Sequence, residues 1–262
     1  PMTNIVVLIK QVPDYTEREL TDGDNTIDRE NTTAIIDEIS SQAVETALNV
    51  KDAAGDGKVT VLTVGPAGAK DALQKALAMG ADEAVLLSDD AIAGSDVVQT
   101  SWAIANVLSG LEGTELVIAG NEASDGRAGA VPAIIAEYLG LPQLTHLSEV
   151  TVEGETVKGK RETDDGVYEV ESSLPAVISV NEKVGEPRFP SFKGIMAAKK
   201  KPMNEMALGD TNIEAGQVGI DNSSTKVVSA TPKPPREAGE KVEDEGEGGK
   251  QIAEYLVSQK II

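Results

Sequence analysis

Glu115–Ala119 (ELVIA), Gly120–Gly129 (GNEASDGRAG) and Ala130–Leu139 (AVPAIIAEYL) follow one another without a break, and the fold turns on this stretch. Five apolar-rich residues in a row suit a strand buried on both faces, where no polar alternation is needed. The ten residues after it are small or polar. The next ten have helical apolar spacing, closed by Gly140 and followed by Pro142, which cannot continue a helix. Working outward, Asn4–Ile9 (NIVVLI), Lys58–Val64 (KVTVLTV) and Ala84–Leu87 (AVLL) have the same strand character. Helical periods separate them: Gln42, Ala43, Thr46, Ala47 and Val50 in one segment, then Ala69–Met79 ahead of Gly80, then Val97–Leu108. Strand and helix alternating in this way predict an α/β fold: an open, mostly parallel sheet with helices on both faces.

Beyond Pro142 the pattern changes. Leu147–Glu153 and Glu155–Arg161 flank Gly154, and Val167–Glu171 follows the Asp164-Asp165-Gly166 turn, so antiparallel hairpins are added to the sheet. Ala176–Val180 reads as another buried strand. Residues 182–202 form a Pro- and Lys-containing stretch that holds both phenylalanines of the chain, Phe189 and Phe192. Thr231–Arg236 (TPKPPR) has the composition of a stiff linker, Glu237–Gly249 is acidic and glycine-rich, and Gln251–Ile262 reads as an amphipathic helix. The division this implies is an α/β domain over residues 1–230 and an extended C-terminal arm over 231–262.

Composition removes several functions. The 262 residues carry 23 Lys and Arg against 44 Asp and Glu, a net charge of −21, which does not suit a partner made of phosphates such as nucleic acid. The absence of cysteine excludes disulfides, thiol nucleophiles and thiolate metal sites. His146 is the only histidine and reads as a structural one with its hydrogen bonds satisfied. No apolar run approaches the roughly 20 residues of a membrane helix. The opening residues do not read as a signal peptide, and Pro1 ahead of Met2 reads as a cloning remnant. A cytoplasmic protein without direct membrane insertion is the expectation.

Ligands of parallel α/β sheets bind outside the carboxyl ends of the strands. The loop Gly120, Asn121, Glu122, Ala123, Ser124, Asp125, Gly126, Arg127, Ala128, Gly129 is therefore the first nucleotide-site candidate. Its glycines permit close approach of backbone to a ligand, and the helix behind it offers free N–H groups to a phosphate. The alternative reading is an ordinary strand-to-helix loop with Ser124 or Asp125 as helix cap. A Walker lysine is missing, so phosphoryl transfer is not indicated. Tyr15 follows the first strand at the same edge of the sheet. The acidic run Asp22–Glu30 lacks calcium-loop spacing and reads as a solvated loop. Phe189, Phe192, Ile195 and Met196, in a Pro/Gly-containing loop beside Lys199–Lys201, read either as core closure, Phe189 above all, or as a partner anchor with a basic rim.

Taken together these pieces resemble the β subunit of the electron transfer flavoprotein family. The resemblance rests on Val157–Val170 (VKGKRETDDGVYEV) with Leu174–Ser179 (LPAVIS), on Ile9–Asp14 (IKQVPD), on Ala76–Asp82 (ALAMGAD), and on the EPR…IMAAKKK pattern within Asn181–Lys201. It implies a nucleotide-binding domain of the adenine nucleotide hydrolase-like type and a heterodimer with a larger α subunit that holds most of a redox-active FAD. It also implies AMP in this subunit, or a second FAD in bifurcating members. The nucleotide site would draw on Leu8, Asp37, Ser40, Val64, Gly120, Asn121, Asp125, Gly126, Arg127, Gly129, Ala130 and Val131, with the backbone from Gly129 to Val131 meeting the phosphate. Tyr15 would face the flavin, and Phe192, with Ile195 and Met196, would dock partner dehydrogenases. The implied function is electron transport, as in fatty acid oxidation, from acyl-CoA or other flavin dehydrogenases to a membrane quinone oxidoreductase, with no substrate turnover by this chain alone. The competing readings are a nucleotide-binding module without redox role and an ATP-dependent enzyme of the same architecture.

Overall fold

A computed structural model describes residues 3–262; Pro1 and Met2, and with them the reading of a cloning remnant, lie outside the described residues. The chain divides into two compact units, one running to Val227 and the other Val228–Ile262.

The first unit runs β1 (Asn4–Leu8), β2 (Gln11–Pro13), β3 (Ala34–Ile36), α1 (Glu38–Ala54), β4 (Lys58–Val64), α2 (Lys70–Met79), β5 (Glu83–Leu87), α3 (Val97–Ser109), β6 (Thr114–Gly120) and α4 (Val131–Leu139). It continues with β7 (Gln143–Glu153), β8 (Thr156–Thr163), β9 (Gly166–Ser173), β10 (Ala176–Val180), α5 (Phe192–Ala198) and β11 (Met203–Met206). Nine strands form one sheet in the order β11-β5-β4-β1-β6-β10-β7-β8-β9; all neighbours from β11 to β7 are parallel, and β7-β8-β9 is an antiparallel ribbon. A separate antiparallel pair joins β2 to β3.

The continuous apolar runs are explained by burial on both faces. Ile5 and Val7 of β1 point to the side covered by α1 and α2, among Val59, Val61, Leu73 and Leu77. Val6 and Leu8 point to the side covered by α3 and α4, among Leu62, Val117, Ile104 and Ile135. Each such aliphatic side chain, fully withdrawn from water, contributes about 1.5–3 kcal/mol before the cost of ordering the chain. The helices end where glycine permits it: Gly55 (φ +79°) after α1 and Gly140 (φ +64°) after α4 both take the left-handed conformation. The N-terminus of α3 is fixed by a reciprocal cap, in which Asp96 Oδ1 accepts the Gln99 N–H and Gln99 Oε1 accepts the Asp96 N–H.

The direction of connection marks out a candidate site. From β1 the chain passes through α1 to β4 on one side; from β6 it passes through α4 to β7 on the other. The carboxyl ends of β1 and β6 thus flank the point where strand order reverses, the place at which open α/β sheets bind ligands.

The second unit has no regular structure until α6 (Gly248–Ser258), which is shorter at its end than the Gln251–Ile262 helix expected from sequence. Ile252, Tyr255, Val257, Ile261 and Ile262 are all exposed.

Candidate functional site

Most of the residues that the resemblance singles out converge at that reversal point. Leu8 and Val64 end β1 and β4, Ala119 is the last residue but one of β6, and the three line the same face of the sheet. Asp37 precedes α1 and is buried; its carboxylate Oδ2 accepts the Ser124 N–H at 2.9 Å, tying the start of α1 to the loop after β6. Ser40, in the first turn of α1, accepts the Lys10 N–H at 3.0 Å. Asn121 donates its backbone N–H to Val180 O at 2.8 Å and so registers the loop on β10. Gly120 is required for packing: a Cβ there would lie 2.7 Å from side-chain carbons of Ile39.

The loop is held by charge. The Asp125 side chain, 1% exposed, accepts from Lys10 Nζ on one oxygen and from Arg29 Nη2 on the other, both at 2.8 Å. Its Oδ1 also accepts the Gly126 N–H. Arg18 Nη1 donates to Ser124 O at 2.9 Å. The excursion between β2 and β3 is thereby fastened over the loop. Burial pushes the Asp125 carboxyl up, but the charges and hydrogen bonds of Lys10 and Arg29 outweigh it and hold the group below the ordinary carboxylate range. Asp37 goes the other way: burial raises it, against the hydrogen bonds from Ser124.

Asp125 is thus fully engaged within the loop, and α4 has no side-chain cap. Among the described residues, no acceptor meets the backbone N–H groups of Gly129, Ala130 and Val131. Gly129 has φ +67° and Arg127 φ +51°, and the exposed Arg127 side chain makes no hydrogen bond. A cluster of unpaired amides at the positive end of a helix, beside an apolar wall of strand ends, fits the phosphate of a nucleotide.

Tyr15 is not drawn into this cluster. It lies in the excursion, 78% exposed. Nor are the docking candidates, which stand elsewhere. Residues read from sequence as loop form α5, capped by Ser191 Oγ accepting the Gly194 N–H at 2.9 Å. Ala198 is buried against α2, while Phe189 (94% exposed), Phe192 (80%), Ile195 and Met196 face outward beside exposed Lys193, Lys199 and Lys200. Core closure by Phe189 is therefore corrected: the ring packs on nothing. His146 is corrected too. It is exposed, at φ +58° within β7, where the β10–β7 register shifts; its backbone N–H donates to Ser179 Oγ, and among the described residues its imidazole has no hydrogen-bond partner. The acidic run turns on itself, Asp24 accepting from Thr21 and Thr26 and Asp28 from Asn31. The sequence reading did not foresee Arg18 and Arg29 as loop anchors; the one available signal was two arginines in a run otherwise rich in carboxylates.

The electron transfer flavoprotein domain model matches residues 24–211. The electron transfer flavoprotein subunit beta of Mycobacterium tuberculosis (strain ATCC 25618 / H37Rv) is 63% identical, with both chains covered in full. The subunit of that name from Megasphaera elsdenii is 37% identical over 98% of this chain and 99% of its own. A subunit of the caffeyl-CoA reductase-Etf complex of Acetobacterium woodii is 33% identical over 97% of each chain.

Proposed function

The chain belongs to the electron transfer flavoprotein family as a β subunit, and from that premise we propose that it pairs with an α subunit to form a cytoplasmic, single-flavin electron carrier. In this reading the β subunit binds AMP structurally and closes one side of the FAD held mainly by its partner. FAD, when bound, supplies the redox chemistry, and the protein supplies binding and orientation. Electrons come from acyl-CoA or other flavin dehydrogenases, as in fatty acid oxidation, and go to a membrane quinone oxidoreductase. The chain turns over no substrate of its own.

Each part has a task for this chain's residues. The amides of Gly129, Ala130 and Val131 receive the nucleotide phosphate, and Arg127 is free to add a charge-assisted hydrogen bond. Leu8 and Val64 exclude water from one side of the nucleotide, while Asp37, Ser40 and Asn121 fix the surrounding backbone. Gly120, Asp125 and Gly126 hold the loop in shape. Tyr15 covers the flavin edge at the subunit boundary, which accounts for an aromatic ring left in solvent in the isolated chain. Phe192, Ile195 and Met196 anchor the dehydrogenase, and the arm from residue 231 onward packs on the α subunit. The observation that carries the nucleotide assignment is the uncapped start of α4 at the strand-order reversal.

The test is composition. The chain is co-expressed with its α subunit, the complex is purified and denatured, and the released FAD and AMP are quantified. One of each per heterodimer supports the proposal. Two FAD and no AMP would make the Gly120–Val131 loop a flavin site, as in a bifurcating carrier. No complex and no flavin would leave a nucleotide-binding module without redox role.

A further inference from the structure

Two phenylalanines, an isoleucine and a methionine standing in water need something to keep them there, since a slack loop would fold them back onto the nearest apolar surface. The restraint is visible on α1. Arg188 donates from Nε to Glu45 Oε2 at 2.7 Å and from Nη2 to Glu45 Oε1 (3.3 Å), Asn49 Oδ1 (3.2 Å) and Asp52 Oδ2 (3.1 Å). Its backbone N–H also reaches Glu45 Oε2, at 3.2 Å. One turn earlier on the same helix, the buried Gln42 donates from Nε2 to Glu182 O (2.8 Å) and Gly185 O (3.1 Å). Positions 42, 45, 49 and 52 share one face of a helix, so a single edge of α1 grips the chain from Glu182 to Arg188.

The far end of α5 is fastened as well. Lys201 Nζ donates to the carbonyls of Leu77 (2.8 Å) and Ala81 (2.6 Å), which close the end of α2. Between the two anchors Gly194 sits so close to Ala78 O that a Cβ would lie 2.5 Å from it. Phe189 is the residue after the Arg188 clamp, and Phe192 begins α5 three residues later.

We infer that Arg188 is a positioning residue for electron transfer: through Glu45, Asn49 and Asp52 it holds α5 in its docking orientation, so that ordering the segment is not charged to each encounter with a dehydrogenase. The inference rests on the reading of Phe192, Ile195 and Met196 as the docking anchor. Guanidinium suits this task better than ammonium, because its planar fork meets three side chains at once.

The test uses the purified heterodimer and an acyl-CoA dehydrogenase that reduces its flavin, with the heterodimer as varied substrate. Arg188→Gln is expected to raise KM about fivefold to tenfold, on the order of what losing a preorganised segment costs, with kcat and flavin content unchanged. Amides 189–198 should exchange hydrogen faster in the same variant. Glu45→Gln keeps the arginine charge but breaks the clamp from the other side; it should raise KM similarly, and the two changes together should be less than additive. Arg188→Lys, which retains the pairing with Glu45, should recover part of the loss. If Arg188→Gln does not fold, Glu45→Gln alone carries the test. A normal KM in Glu45→Gln together with faster exchange would overturn the inference, as would a raised KM with unchanged exchange. Phe192→Ala is the control on the underlying reading: a normal KM there would remove the docking anchor itself, whereas a raised KM beside a normal one in Glu45→Gln would leave the anchor and remove only the positioning role.

Discussion

Asp125 is the residue on which the candidate site is most exposed to a single change. Its buried carboxylate joins Lys10 from the end of β1 to Arg29 from the excursion between β2 and β3. Asp125→Asn should cost about 2 kcal/mol, less than a wholly buried pair, because Lys10 and Arg29 are each a third or more exposed and can turn to water. Urea unfolding at neutral pH measures it. The acid limb carries the sign. Asp125 is held below its unfolded pKa, so its contribution is whole above the unfolded value and is lost as pH falls through the folded one. Asp37 is held above its unfolded value and does the reverse: its contribution is present below the unfolded pKa and is lost as pH rises through the folded one. Asp125→Asn should therefore flatten the loss of stability in acid. Asp37→Asn, whose amide oxygen can still accept the Ser124 N–H, removes a carboxyl that is costly to ionise and should therefore widen the stability gap between acid and neutral pH, the opposite of Asp125→Asn. Asp125 was legible in the sequence as part of a small-residue loop at a strand end. Its partners were not, because pairs 115 and 96 residues apart leave no local trace.

At the scale of the element, what could be read was what is buried on both faces. β1, β4, β6 and β10 are continuous apolar runs because helices cover the sheet above and below, and that requirement is written into adjacent residues. The β2–β3 pair and β11 went unread for the opposite reason. They span three to four residues, too few to establish a period, and β11 with its Asn204 and Glu205 becomes a strand only by pairing with β5. The short α5 is likewise made by its surroundings, resting on α2 at a glycine. Gly194→Ala tests that dependence. The added Cβ meets a backbone carbonyl that cannot swing aside, so the helix must lift, at a cost of about 1–3 kcal/mol as for overpacking elsewhere. Faster exchange of the α5 amides and a lower unfolding midpoint are the expected readouts.

At the scale of the molecule, the division after Val227 separates a unit with two full cores from one with no buried helix residue. Such a segment is not stabilised from within. Ending the chain at Val227 should leave the FAD-free α/β unit's far-UV spectrum per residue nearly intact while weakening assembly with the α subunit by tenfold or more, a loss of the kind expected when an apolar anchor helix is removed. Sedimentation of the mixed subunits would show it. The amphipathic pattern announced the arm in sequence; under the proposed function its cover is the α subunit, which this sequence does not encode. A last consequence follows from the place of β10. All five of its residues are buried, and it lies between β6 and β7, both of which precede it. The sheet cannot be completed in the order of synthesis. A nascent chain that has just delivered β7 and its ribbon displays an open apolar edge on β6, a template for any strand that reaches it first. Insertion of β10 is thus the step that retires this hazard, and the interval before residue 180 leaves the ribosome is when the young protein most needs a chaperone.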